Sequence, residues 1–174
     1  VSALGTVTLL VGLETTEAVK AAVVFLMVHA LYKGALFLAA GAVDHEAGSR
    51  EVDALGGLAR AMPVTAAAVL LACLSMAGLP PLFGFVAKEL LYEAKTQAPE
   101  AAVVVTAAGL AANVLIFAVA ARLAIGPLFG TAGRTPRIPH EGPPGLWLGP
   151  IVLAGLGLGL GILPDTLANP LVGA

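Results

Sequence analysis

The sequence predicts an all-α, polytopic transmembrane helix bundle with one discontinuous helix. Three observations predict it. Of 174 residues, 59% are hydrophobic and 11% are charged, whereas soluble domains are about one-quarter charged. The apolar residues gather in runs, several of them near the roughly 20 helical residues that cross a hydrocarbon core. Pro80-Pro81 and Gly84 interrupt one stretch beside an ionisable residue, Lys88. Non-helical backbone at membrane depth is tolerated only where protein buries it or it lines a cavity.

The elements follow in chain order. Residues 1–13 read as the tail of a truncated helix, because the chain opens at Val1, without Met, inside an apolar run. The sequence is therefore expected to be a fragment of a larger subunit, with residues 1–174 forming part of one membrane domain. Thr15 and Thr16 can cap the next helix, expected over residues 17–43. Asp44 to Met62 is a mixed-charge connection holding Gly48, Gly56 and Gly57, expected to be an ordered interfacial loop or short surface helix. Pro63 suits a helix first turn and Pro80 cannot continue one, which sets a span over residues 63–79. Residues 82–97 are short for a full crossing and carry the expected discontinuity. Residues 100–123 form a further span, with Asn113 near its centre. A Pro/Gly-rich loop then leads to residues 146–163, where Gly155, Gly157, Gly159 and Gly161 offer close helix contact.

Composition also excludes function classes. The net charge is −2, and no basic stripe suggests nucleic acid. One cysteine, Cys73, can form neither an internal disulfide nor a structural zinc site. His29, His45 and His140 lie on separate segments, so no metal spacing is met. The Gly-Leu alternation at residues 155–161 lies inside an apolar span and is no dinucleotide fingerprint. No metal and no cofactor are expected, and the chain is not read as an enzyme.

The chemistry lies in two intramembrane lysines. Lys33 is flanked on each side by about ten mostly apolar residues, too many for its side chain to reach either interface. A charge at that depth is costly and is kept where it faces a bundle interior, water or a partner. His29 lies one helical turn before Lys33, so the two share a face. An imidazole can pass a proton through its two nitrogens. Lys88 carries Glu89 beside it, although neighbours in sequence point in different directions on a helix. Lys33, His29, Lys88 and Glu89 are the expected proton-translocating residues. Asp44, His45 and Glu46, where the first long span ends, are candidates for proton or cation access. The bland alternatives are an interfacial anchor for Lys88 and a solvated surface for His45. Oxygen ligands for a cation at depth are few: Ser75, Glu89, Thr106 and Asn113.

The stretch HALYKGALF (residues 29–37), the Gly56-Gly57-Leu58 turn, and the set Gly78, Pro80, Gly84, Phe85 and Lys88 carry a likeness. Together they resemble the antiporter-like subunits shared by Mrp-type multisubunit Na+/H+ antiporters and respiratory complex I. The stretch from Asp44 to Arg50 looks most like the A-type Mrp subunits. The resemblance is strongest over residues 22–94. It implies that Lys33 belongs to the central hydrophilic axis and Lys88 to the discontinuous helix of the second half-channel. It implies proton movement coupled to exchange of Na+ or K+, within a hetero-oligomer of membrane subunits in the lipid bilayer of a bacterial cell (inner) membrane. The alternative is a proton-pumping subunit of complex I or a membrane-bound hydrogenase, a translocase component whose redox centres would lie on partners. A non-transporting structural subunit is a third possibility. Some relatives carry a second histidine four residues before the motif histidine; here that position is Phe25.

Overall fold

The organising element is a single long helix, and its ends show why it is long. A computed structural model of the chain describes residues 2–96, 102–131 and 135–163. After α1 (Ser2–Val11), helix α2 runs Thr16–Ala47. Thr15 caps it by accepting the Ala18 N–H at 3.2 Å. Gly48 ends it in the left-handed region, φ 71°, with its N–H donated to the Asp44 carbonyl. Only a residue without a Cβ adopts that conformation freely. The stop is thus set by Gly48, not by the first charge. Asp44, His45 and Glu46 therefore occupy the last turns of the helix, one turn beyond the expected end at residue 43. At 1.5 Å per residue the 32 residues of α2 span roughly 48 Å, more than a hydrocarbon core.

The polar connection folds as expected into ordered surface structure: a 3-10 turn over Val52–Ala54 and the short α3 (Leu58–Ala61). Helix α4 (Pro63–Ala77) starts with Pro63 in its first turn and ends at Gly78, φ 74°. The Gly78 N–H bonds the Leu74 and Ser75 carbonyls, and the Leu79 N–H returns to Leu74, satisfying carbonyls that the helix end would orphan. Pro80-Pro81 is cis, and α5 (Phe83–Thr96) starts immediately after it. With 15 and 14 residues, α4 and α5 are each only roughly 22 Å long, too short to cross alone. The discontinuity therefore falls between the two helices, at residues 78–82, and not inside the second one.

Helix α6 (Ala102–Phe129) continues through Pro127, six residues beyond the expected end. Helix α7 (Pro144–Ile162) tolerates a buried Pro150 in its interior. Among the described residues, α2, α7 and the segment Thr106–Phe129 of α6 are long and apolar enough to cross a membrane. The protein is a helical membrane bundle. α2 packs against α1, α4, α5 and α7, and α4 against α6 and α7. The main core gathers small and medium side chains from these helices, among them Val28, Tyr32, Ala35, Cys73, Met76, Phe83, Ala87 and Ala154. Small residues let helices approach closely where lipid supplies no hydrophobic drive between them. Cys73 is a free, buried member of that core.

Candidate functional site

Lys88 sits one turn into α5 and reaches back to the end of α4. Its Nζ donates to the Ala77 carbonyl at 2.5 Å, and the side chain lies against Gly78. A helix C-terminus carries partial negative charge, so the ammonium meets the broken end of α4 with favourable polarity. Two glycines make the approach possible. A Cβ on Gly84 would overlap the Ser75 carbonyl, and a Cβ on Gly78 would overlap Lys88 itself.

His29 and Lys33 lie on successive turns of α2. The His29 ring is held from two sides. Its Nδ1 is 2.6 Å from the Tyr32 hydroxyl, whose ring meets it edge-on with centroids 5.1 Å apart. Phe25 stacks on it at 6.0 Å. The Lys33 ammonium lies over the Phe37 ring, 5.9 Å from its centroid, a cation–π contact.

A cavity of about 640 Å³ joins these groups. His29, Tyr32, Lys33, Lys88, Tyr92 and Asn113 all line it, with Thr6 from α1 at one side. Two residues that are 55 positions apart in sequence, Lys33 and Lys88, thus open onto one space. A second cavity, about 580 Å³, reaches Lys33 from the other direction. Its wall is largely apolar (Leu36, Val43, Leu58, Val69 and Leu128 among others), and its far end holds Asp44, Ser49 and Arg50. Lys33 is the residue that both cavities touch.

The remaining expected residues fall elsewhere. Glu89 is exposed and lines neither cavity, and no ion pair joins it to Lys88 among the described residues. A step of one residue turns it roughly 100° away from Lys88 around the helix. Asp44 lines the second cavity and pairs with Arg50 at 2.8 Å; that charged hydrogen bond raises the Arg50 guanidinium above its ordinary range. His45 and Glu46 are turned away from it. Glu46 is 6% exposed and lies 2.9 Å from His45 and 3.0 Å from His140. Of the four oxygen-bearing candidates for a cation, Asn113 alone lines the cavity that contains Lys88. Among the described residues no group of three His, Cys, Asp or Glu could hold a metal ion.

Sequence reasoning missed two things. Tyr32 gives no signal beyond its place in an apolar run. Glu141 reads as a loop residue between prolines, yet its carboxylate accepts the Val64 N–H at 2.7 Å, the Thr65 N–H at 3.3 Å and the Thr65 hydroxyl at 2.6 Å.

Comparison with known proteins agrees with the helical membrane fold. The sequence pattern of the family described as "NADH:quinone oxidoreductase/Mrp antiporter, TM" matches residues 1–116. The A subunit of a Na(+)/H(+) antiporter of Alkalihalophilus pseudofirmus is 33% identical over 89% of this chain and 20% of its own length. The A/B subunit of a probable K(+)/H(+) antiporter of Rhizobium meliloti is 37% identical over 98% of this chain and 17% of its own length. The solved Mrp complex from a Dietzia species superposes with a TM-score of 0.82 at 38% identity, covering 98% of this chain and 18% of that one. The chain spans about a fifth of the length of the curated relatives it matches. It belongs to the NADH:quinone oxidoreductase/Mrp antiporter membrane family.

Proposed function

We propose that this chain carries the Lys33–Lys88 stretch of the proton path in a multisubunit monovalent cation/proton antiporter. The observation that carries the reading is the single cavity lined by His29, Lys33 and Lys88. Water in that space links the three groups, and protons step between them. Lys88 exchanges its proton with the same water. The Ala77 carbonyl holds the Lys88 ammonium until that exchange. Asp44, at the far end of the second cavity, is the access residue of this scheme. Glu46 and His45 serve the fold of the adjoining loop, and Glu89 stands outside the path.

The cation exchanged is Na+ or K+; relatives are named for each. The partners are other membrane subunits of one complex in a bacterial cell membrane. The test is cation-driven pH change in inverted vesicles carrying the assembled complex, wild type against Lys88→Ala, with assembly checked by native gel. Antiport falling by about 100-fold or more in an assembled complex is the expected result, the scale of a lost proton-transfer group. Undiminished antiport would make Lys88 a structural cap on α4. Pumping driven by an electron donor, with no response to a cation gradient, would move the chain to the respiratory branch of the family.

A further inference from the structure

Tyr32 lines the cavity that Lys33 and Lys88 share, and it is 9% exposed. Its hydroxyl is 2.6 Å from His29 Nδ1, at the short end for a bond between a phenol and an imidazole nitrogen. The other approach to the ring is occupied by Phe25, stacked at an interplanar angle of 24°. Phe25 can neither give nor take a proton. The ring is therefore fixed by an apolar plate on one side and a hydroxyl at Nδ1, which leaves Nε2 as its second exchange point.

We infer that the Tyr32 hydroxyl is a member of the relay, handing protons to and from His29 Nδ1. The inference rests on the proton-path reading above. In the resting pair the Tyr32 O–H donates to Nδ1, and the ring carries its own proton on Nε2. A proton delivered to Tyr32 Oη from cavity water forms a new O–H bond as the old one breaks and its proton passes to Nδ1. The phenol stays neutral throughout and the ring becomes an imidazolium. Loss of the Nε2 proton completes the transfer of one proton across the ring. The charged and titratable groups facing this pair are Lys33 on α2 and Lys88 and Tyr92 on α5; α1 and α6 contribute Thr6 and Asn113, and α4 contributes Met76. The role gives the chain a second exchange group next to His29 where Phe25 offers none.

The test uses the assembled complex in inverted vesicles. Tyr32→Phe keeps the ring in the core and removes only the hydroxyl. Its antiport is expected to fall by about tenfold or more, with a changed pH profile and normal assembly. Because Tyr32 acts through His29, the double variant Tyr32→Phe, His29→Gln is expected to be no slower than His29→Gln alone. A wild-type rate and pH profile for Tyr32→Phe, or fully multiplicative losses in the double variant, would overturn the inference. Lys88→Ala measured alongside separates the two levels. If it abolishes antiport while Tyr32→Phe is harmless, only the Tyr32 role fails. If Lys88→Ala is harmless as well, the proton-path reading fails with it.

Discussion

At the scale of single residues, what decides a side chain's role in this bundle is the atom it is placed against. Lys88 and Glu89 are sequence neighbours with opposite surroundings: one closes on the Ala77 carbonyl and the other is exposed. Gly84 shows the same logic by absence, because its missing Cβ is the space the Ser75 carbonyl occupies. The atom it would strike is backbone, which cannot swing aside. Gly84→Ala must therefore push the start of α5 away from α4, at a cost of about 1–3 kcal/mol or more. Lys88 would be carried off its carbonyl with it. The expected outcome is a lower melting temperature of the detergent-solubilised complex together with weaker antiport. A variant as stable and active as wild type would show that the α4–α5 junction is looser than this contact demands. The sequence marks Gly84 as part of a break, but its reason lies nine residues upstream, across a turn whose path no local pattern encodes.

At the scale of elements, the junction between α4 and α5 is held by a third helix. A Cβ on Gly161 of α7 would overlap the Pro81 carbonyl and the backbone of Leu82 and Phe83. The non-helical link thus lies directly on a helix surface with no side chain between them. The four glycines of the Gly-Leu run look alike in sequence, and small-residue spacing marks the helix as a packing element without saying which position is used. In space they differ: Gly155, Gly157 and Gly159 have nothing within 4 Å of a Cβ. Gly161→Ala is therefore expected to destabilise the assembled complex, while Gly159→Ala, which also raises helix propensity by about 1 kcal/mol, leaves it unchanged or slightly more stable. Thermal unfolding of the two variants side by side checks this, and equal behaviour would refute the docking. The same distinction governs the helix ends. Hydropathy falls at Asp44, and Gly126-Pro127 reads as a helix breaker, so a reading from local pattern ends two helices there. The helices run on, to Ala47 in one case, where a helix outside the hydrocarbon needs no apolar side chains, and through Pro127 to Phe129 in the other.

At the scale of the whole molecule, the intramembrane helices are tied together from outside both cavities. The segment at residues 135–143 returns to α2 and α4 through contacts that span the sequence. Arg137 bonds the Ala47 and His45 carbonyls, His140 meets the buried Glu46, and Glu141 closes the open end of α4. None of this is legible in the sequence. The spans, the break and both lysines announce themselves by composition and local spacing, whereas Glu141 acts on residues 76 and 77 positions away.

The α4 cap sets up a test of how the fold and the path are divided. The residue before Pro63, Met62, offers no side-chain acceptor, so the first free N–H groups of α4 depend on Glu141. A carboxylate there is doubly suited, since it accepts hydrogen bonds and meets the positive end of the helix. Glu141→Ala is expected to lower the stability of the complex by about 1–2 kcal/mol. Glu141→Gln keeps one acceptor oxygen and should lose less. Glu141 lines neither cavity, so below the melting transition both variants should exchange cations for protons at the wild-type rate. Thermal unfolding and vesicle antiport on the same preparations separate the two effects. Lost antiport at full stability would mean that this loop belongs to the proton route, and would draw the access point away from Asp44 toward the Glu46–His140 contact. Lost stability at full antiport would leave the loop as the tie that fixes α4, and through α4 the carbonyl on which Lys88 rests.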